Sequence, residues 1–366
     1  MEGRGARVMN ILLVPDEYEP ISNYKLELIK EAQKVLDTNS VIFIYEKRSQ
    51  GDRIFTQEEK LVLLGSAIPN SLSPKYIIDG NSFKDINTSL YENIQMQKEK
   101  HKDADLFLLL DSREFNRLKD STDLIYILTI CKLVLYVFPE DKEILERLPM
   151  TTHHPLLIAN SVEISKLSKA SIFNVHESYF SPLIIEYMNK SSECAIKRIK
   201  NHLSDSRFKH SLRVAGTVQK IHEIIELKDM ELRYDSYIAA LYHDICKEFS
   251  NEALIEIAAS ELGIFKFPHP KVLHGPVGAW YISKYYLFPK GTDILEAIAQ
   301  HTVPSVNPKP ITKLLFLADH LELNKKDRYP QEVYENIWNL IEAKDIDKAF
   351  STLIAYCDAV RAKKSK

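Results

Sequence analysis

A chain of 366 residues is longer than one ordinary core and implies two domains, and 45% hydrophobic with 27% charged residues is the balance of a globular protein. A formal net charge of -3 gives no general attraction to nucleic acid or anionic membrane, and no run approaches the roughly 18 consecutive apolar residues a membrane span requires. Cys131, Cys194, Cys246 and Cys357 show no paired spacing, which argues against a disulfide framework or a thiolate zinc site and points to the cytoplasm.

Met1 to Arg7 carries no apolar core and reads as an arm rather than a secretory signal, with Met9 as an alternative start. Apolar, β-rich runs follow at Ile11 to Val14, Val41 to Tyr45, Tyr76 to Ile78, Leu106 to Leu110, Leu133 to Val137 and Leu156 to Ile158. Between them Lys25 to Leu36, Gln57 to Ala67, Thr88 to Lys100 and Asp120 to Cys131 have helical spacing. Strict alternation predicts an α/β domain over 9–190, built on a parallel sheet covered on both faces. The polar Asn189-Lys190-Ser191-Ser192 marks the boundary. Beyond it only helical patterns occur, which predicts an all-α domain over 191–350 and a helix end with a basic tail over 351–366.

The helical half places six metal-ligating residue types on apolar stripes or at helix ends. His210 shares a face with Val214, Thr217, Ile221 and Ile224. His243 and Asp244 interrupt the apolar run Tyr237 to Cys246, and a buried carboxylate must be paired or bind a metal because its desolvation is otherwise prohibitive. Adjacent helical residues point about 100° apart, so this pair can serve two ions, with Asp244 as the bridge. His274 precedes Gly275-Pro276 at a helix start, His301 closes a helix, and Asp319 lies on the face of Thr312, Leu315 and Phe316. A lone inward histidine is more often a core residue, but six such residues in one helical segment point to a centre of two transition-metal ions. Nitrogen and oxygen ligands suit iron, manganese and others alike. Such a centre lowers the pKa of bound water and supplies a hydroxide nucleophile, so the expected chemistry is phosphohydrolysis, with Asp244, Lys247, His274 and His301 at the reaction. Lys247, one turn past the pair, reads equally as a helix-end cation or a phosphate clamp, and Thr302 as a helix cap or a phosphate donor. His202, His222, His269 and His320 fit no apolar face as well and are expected at the surface.

These residues carry a resemblance. His210, His243-Asp244 and Asp319 are similar to the elements of the HD phosphohydrolase superfamily, and His274 and His301 resemble its two-metal branch. Arg207 to Val214, His243 to Lys247, His274 to Ala279, Ile298 to Thr302 and Phe316 to Glu322 together resemble the bacterial YqeK-type symmetrical diadenosine tetraphosphate hydrolases, over about 195 to 345. The resemblance implies iron as the metal and cleavage of diadenosine tetraphosphate to two ADP. Glu322-Leu323-Asn324-Lys325 departs from it, since that family usually has a proline and an arginine after the acidic residue. Asn324 stands in this loop as a candidate substrate contact.

Residues 9 to 190 resemble, more diffusely, the bacterial nicotinate-nucleotide adenylyltransferases, a Rossmann-like fold fused to an HD domain in some small-genome bacteria. Lys75 to Asp79, Ser82 to Thr88, Ala104 to Phe107 and Asp111-Ser112 carry the likeness. The catalytic signature departs from it. Pro15-Asp16 stands where that family has a glycine pair, Ser22 and Lys25 where it has two histidines, and Tyr24 where it has the glycine between them. Leu109-Leu110 replaces Gly-Ala, and Ala159 to Ser165 lacks the late phosphate-binding Thr and Arg. Asp16-Glu17 would repel ATP, and Lys25 is expected as a surface charge. The implied picture is a nucleotidyltransferase-like domain that kept its fold and lost its chemistry, joined to a hydrolase of small-molecule nucleotides with no nucleic-acid or membrane partner. A working adenylyltransferase and a non-catalytic nucleotide-sensing module are the alternatives, and a homodimer is left open.

Overall fold

The computed structural model describes residues 8–48, 53–69, 74–147, 155–159 and 162–364. The expected arm Met1 to Arg7 and Asn160-Ser161 lie outside them. The chain forms two compact units, one of Met1–Ser171 with His176–Ile184, the other of Ile172–Val175 with Ile185–Lys366.

In the first unit the apolar runs become β1 (Met9–Asp16), β2 (Ser40–Tyr45), β3 (Lys75–Ile78), β4 (Ala104–Asp111), β5 (Lys132–Tyr136) and β6 (Leu156–Ile158). They pair in parallel in the order β3-β2-β1-β4-β5-β6. Leu12 sits opposite Val41 on one side and Phe107 on the other, and β1 buries Ile11 to Val14 completely, as a central parallel strand must. The helices of this unit are α1 (Asn23–Val35), α2 (Gln57–Ala67), α3 (Gly80–Lys84), α4 (Leu90–Lys100), α5 (Ser112–Leu118), α6 (Thr122–Ile130) and α7 (Val162–Leu167), and α8 (Pro182–Lys190) begins in it and ends in the second. Capping boxes start three of them: Thr56 with Glu59, Ser89 with Glu92 and Asp111 with Glu114. The short α3, α5 and α7 escape a periodicity search because five to seven residues hold barely two turns.

This strand order reverses between β1 and β4, and in open α/β sheets the ligand crevice lies at such a switch point, outside the strands' carboxyl ends. Here charge fills that place. Lys25, expected at the surface, is buried, with Nζ 2.6 Å from Glu114 Oε1 and 3.4 Å from Asp16 Oδ2. The correction has a simple cause: the side chain starts on α1 beneath the ends of β1 and β4, where two carboxylates repay its desolvation. Arg48 reaches Asp16 Oδ1 at 3.0 Å, Glu114 Oε1 at 2.7 Å and Glu46 Oε2 at 3.0 Å, and Arg117 reaches Glu46 Oε1 at 2.7 Å. The Tyr24 hydroxyl donates to Asp111. Burial opposes ionisation of Asp16, but Arg48 and Lys25 outweigh it and hold its carboxyl down at about 2.

The second unit is helical: α9 (Ser192–His202), α10 (Asp205–Ile224), α11 (Met230–Tyr242), α12 (Asn251–Leu262), α13 (His274–Tyr285), α14 (Asp293–Gln300), α15 (Pro310–Leu321), α16 (Gln331–Glu342) and α17 (Ile346–Lys364). Asp229 caps α11 and Ser250 caps α12, which ends at Gly263 in the left-handed conformation (φ 66°) that glycine tolerates best. Helix α10 packs on α11 and α15, α11 on α14 and α15, and α13 on α14. Their shared core includes Val214, Val218, Ile238, Leu241, Ile298, Leu315 and Phe316. Close approach of α13 to α14 depends on Gly275, where a Cβ would stand 2.8 Å from the Ala299 carbonyl oxygen.

Candidate metal centre

The apolar stripes of α10, α11, α14 and α15 turn toward one another, and the polar residues set in them are carried to a common point. His210 comes from the second turn of α10 and Asp319 from the last turn of α15. His243 and Asp244 follow α11, His274 opens α13 and His301 follows α14. The histidines and Asp244 are buried, Asp319 nearly so.

Asp244 sits at the middle and divides the set. Its Oδ2 is 3.7 Å from His210 Nε2 and 3.7 Å from His243 Nε2, while its Oδ1 is 3.0 Å from His274 Nε2 and 3.6 Å from His301 Nε2. Asp319 Oδ1 joins the first group, 3.1 Å from His210 Nε2 and 3.5 Å from His243 Nε2. Two half-sites thus share one carboxylate, with the donor atoms of His210, His243 and Asp244, and those of Asp244, His274 and His301, within 4.8 Å of one another.

The backbone fixes which nitrogens face inward. Nδ1 of His243 and of His301 each lies 2.7 Å from a carbonyl oxygen, of Ala240 and Ile298, and His274 Nδ1 pairs with the Lys271 carbonyl. A carbonyl can only accept, so these rings carry the proton on Nδ1 and turn bare Nε2 lone pairs to the centre. There the Nε2 atoms of His210 and His243 stand 3.3 Å apart, and those of His274 and His301 3.0 Å apart. Asp244 Oδ1 is buried without a hydrogen-bond donor. Facing nitrogens beside a carboxylate oxygen that has no hydrogen-bond donor are costly, and the ammonium beside Asp244, Lys247 Nζ at 3.0 Å from His274 Nε2 and 3.5 Å from Asp244 Oδ1, reaches only one of the two pairs. Imidazole nitrogen and carboxylate oxygen are donors for borderline divalent ions, so the residues fit two transition-metal ions.

Electrostatics keep the two carboxylates ionised and His301 neutral, whereas, against burial, Asp244 and Asp319 raise His243. Burial opposes the charge on Asp244, but His243, His274, His301 and Lys247 hold its carboxyl well below the usual range. Lys325 and the two histidines of its half-site do the same for Asp319. Burial pushes His301 down to about 4, which leaves a neutral imidazole near pH 7.

Residues 207–324 match the HD-domain family profile. A Halalkalibacterium halodurans protein named symmetrical bis(5'-nucleosyl)-tetraphosphatase is 30% identical over 135 residues, 36% of this chain and 69% of that one. The chain belongs to the HD family. A Staphylococcus aureus protein of the same name is 32% identical over 132 residues, 36% of this chain and 66% of its own. Likeness also extends across both units. A Mycoplasma genitalium protein named "Probable nicotinate-nucleotide adenylyltransferase/Ap4A hydrolase" is 29% identical over 332 residues, 86% of this chain and 88% of the relative. The present chain therefore carries an HD domain preceded by an α/β domain with a six-stranded parallel sheet, and no helix of its described residues is long and apolar enough to cross a membrane.

Beside the HD ligands lies a cavity of about 350 Å³, lined by His210, Asp244, Asp319 and Glu322 with Arg207, Arg213, Lys247, Asn324, Lys325 and Arg328. Lys247 Nζ stands 3.0 Å from His274 Nε2 and 3.5 Å from Asp244 Oδ1, and Lys325 Nζ 2.5 Å from Asp319 Oδ1. Asn324 lines this space, whereas the Thr302 hydroxyl donates to the Val272 carbonyl at 3.2 Å and Thr302 is not among the lining residues. Sequence reasoning missed Arg207, Lys325 and Arg328. Only Arg207 left a signal: it lies one turn before His210 on the same helix, and its Nη1 contacts Asp244 Oδ2 at 3.0 Å.

Three histidines expected at the surface are not there. His222 is buried, its Nε2 2.8 Å from Ser236 Oγ. His202 packs half-buried against Phe249 and Tyr281, and His320 stacks on Phe316 at 4.2 Å. In each case a neighbouring helix or aromatic ring covers a polar residue that the apolar pattern of its own helix does not reveal. His269 is exposed, as expected.

Proposed function

We propose that the HD domain cleaves dinucleoside tetraphosphates symmetrically, diadenosine tetraphosphate with water giving two ADP, at a centre of two divalent ions held by His210, His243, Asp244, His274, His301 and Asp319. One observation carries the reading: Asp244 presents each oxygen to a separate histidine pair, at the wall of a cavity whose other charges are mostly cationic. Bound ions would supply a hydroxide near neutral pH and neutralise phosphate charge. The protein's own part is positional. Lys247, Lys325, Arg207 and Arg328 line a space that fits a polyphosphate chain and hold positive charge against its non-bridging oxygens. His274 and His301 act as ligands rather than as phosphate contacts, because Nδ1 is committed to a carbonyl and Nε2 faces Asp244. ADP departs as an already stabilised phosphate anion, so the reaction needs no strong general acid.

Purified protein reconstituted with Fe²⁺ or Mn²⁺ and given diadenosine tetraphosphate should release ADP alone. Asp244→Ala and His243→Ala should each lower the rate roughly a thousandfold. Release of AMP with ATP would overturn symmetric cleavage, and metal binding without turnover would favour a sensing module.

The Mycoplasma relative's name favours a second reading, adenylyl transfer by the first unit. Its switch point opposes that: the cations that would meet a triphosphate are spent on Asp16, Glu46 and Glu114. ATP with nicotinate mononucleotide should therefore yield no dinucleotide, leaving this domain as scaffold or regulator.

A further inference from the structure

We infer that Glu322 is a positioning residue of the metal centre, whose buried carboxylate fixes His210 with Nδ1 protonated and Nε2 bare and so sets the affinity of the half-site built by His210, His243 and Asp319. The inference rests on the metal-centre reading and concerns one half of it.

His243, His274 and His301 stand at helix ends, and each finds a carbonyl three residues back for its Nδ1. His210, in the second turn of the twenty-residue α10, is oriented differently. Its Nδ1 faces Glu322 Oε1 at 3.3 Å instead. Glu322 is only 2% exposed. Its other oxygen, Oε2, takes Arg213 Nε at 2.7 Å and the Asn324 amide at 3.1 Å. The Arg213 guanidinium and that amide compensate the charge of the buried carboxylate. A fixed anion behind an imidazole settles the tautomer and makes the far nitrogen a stronger ligand than a carbonyl would. The same carboxylate caps the turn Leu323–Arg328, which carries Lys325 and Arg328 to the cavity wall. Glu322 therefore orients both a ligand and the cations beside it without touching either ion.

The test is metal titration rather than turnover. Full-length protein stripped with a chelator is titrated with Mn²⁺, and bound and free ion are counted by electron paramagnetic resonance. Wild type should take two ions. In Glu322→Ala one ion should bind about ten- to a hundredfold more weakly. The other should stay near its wild-type affinity, since His274, His301 and Asp244 make no contact with Glu322. Glu322→Gln keeps an oxygen for the Nδ1 proton without the charge, and should fall between the two. A merely structural role would weaken both ions together. Equal weakening of both ions in Glu322→Ala, or no change in either, overturns the inference while leaving the centre standing. A wild type that binds no Mn²⁺ overturns centre and inference alike. Should Glu322→Ala not fold, the isosteric Gln variant decides: selective loss at one ion supports the assignment, and unchanged binding overturns it.

Discussion

The cluster of buried charge at the first unit's switch point and the one in the HD domain differ in how far their atoms are satisfied by one another. At the β1–β4 switch point Lys25 and Arg48 meet Asp16, Glu46 and Glu114 at 3.4 Å or less, so cations and carboxylates neutralise one another. In the HD domain the balance is broken: imidazole lone pairs face one another at 3.0 and 3.3 Å, and Asp244 Oδ1 has no donor. The first cluster pairs its charges among themselves, while the second keeps facing imidazole nitrogens that Lys247 and Arg207, at its edge, do not separate.

The largest effect that would break this contrast comes from opening the closed cluster. Lys25→Ala leaves Glu114 and Asp16 with Arg48 as their remaining cation, and losing one member of a buried network costs about 3 to 5 kcal/mol, here toward the lower end because Arg48 stays. Urea denaturation should show the transition of the first unit moved to lower concentration, while diadenosine tetraphosphate hydrolysis without urea is unchanged. An unmoved transition would mean that the network does not hold that unit together. Gly275→Ala is the corresponding lesion in the HD domain. A methyl group 2.8 Å from a backbone oxygen must push α13 from α14, and overpacking of this kind costs about 1 to 3 kcal/mol. Because His274 follows one helix and His301 the other, metal content should fall along with the melting temperature. Full occupancy by elemental analysis would show that the two helices can part without disturbing the half-site.

Sequence reached the open cluster more easily than the closed one, for a physical reason. A histidine or aspartate set in an apolar helical stripe must be buried, so His210, Asp244 and Asp319 announce themselves within ten residues of their own chain. The strands were legible in the same way, as unbroken apolar runs. Lys25 was not, because what buries it is Glu114, 89 residues on, and no local pattern encodes that partner. His222 hides for the same reason behind Ser236. The cavity's cations were illegible from the other side: Lys325 and Arg328 sit on a short turn, where a basic residue ordinarily means a solvated surface.

Acid should separate the two units at a smaller scale. Burial, with Arg233, depresses His222 from 6.5 to about 4, so the unfolded chain binds its proton first. Its contribution is complete above pH 6.5 and is lost as pH falls toward about 4. Asp16 is depressed from 3.8 to about 2, so its contribution is complete above pH 3.8 and disappears only as pH falls toward about 2. Denaturation of metal-loaded protein followed across pH should show the HD domain weakening in the upper window and the first unit in the lower one. His222→Gln should flatten the upper slope, and an unchanged slope would assign that loss to other groups.

The smallest effect separates a ligand-facing hydroxyl from one already used. Thr302 follows His301, which we propose as a metal ligand, where a phosphate contact is chemically attractive, yet its Oγ1 donates to the Val272 carbonyl at 3.2 Å. A neutral hydrogen bond of this kind contributes about 1 kcal/mol, and valine keeps the shape while removing the donor. Thr302→Val should lower stability by about that amount and leave KM for diadenosine tetraphosphate within twofold, because the hydroxyl has no free proton to offer a phosphate. A tenfold rise in KM at unchanged stability would instead mean that Thr302 turns from Val272 to the substrate, and that the open cluster extends past the six ligands onto the end of α14.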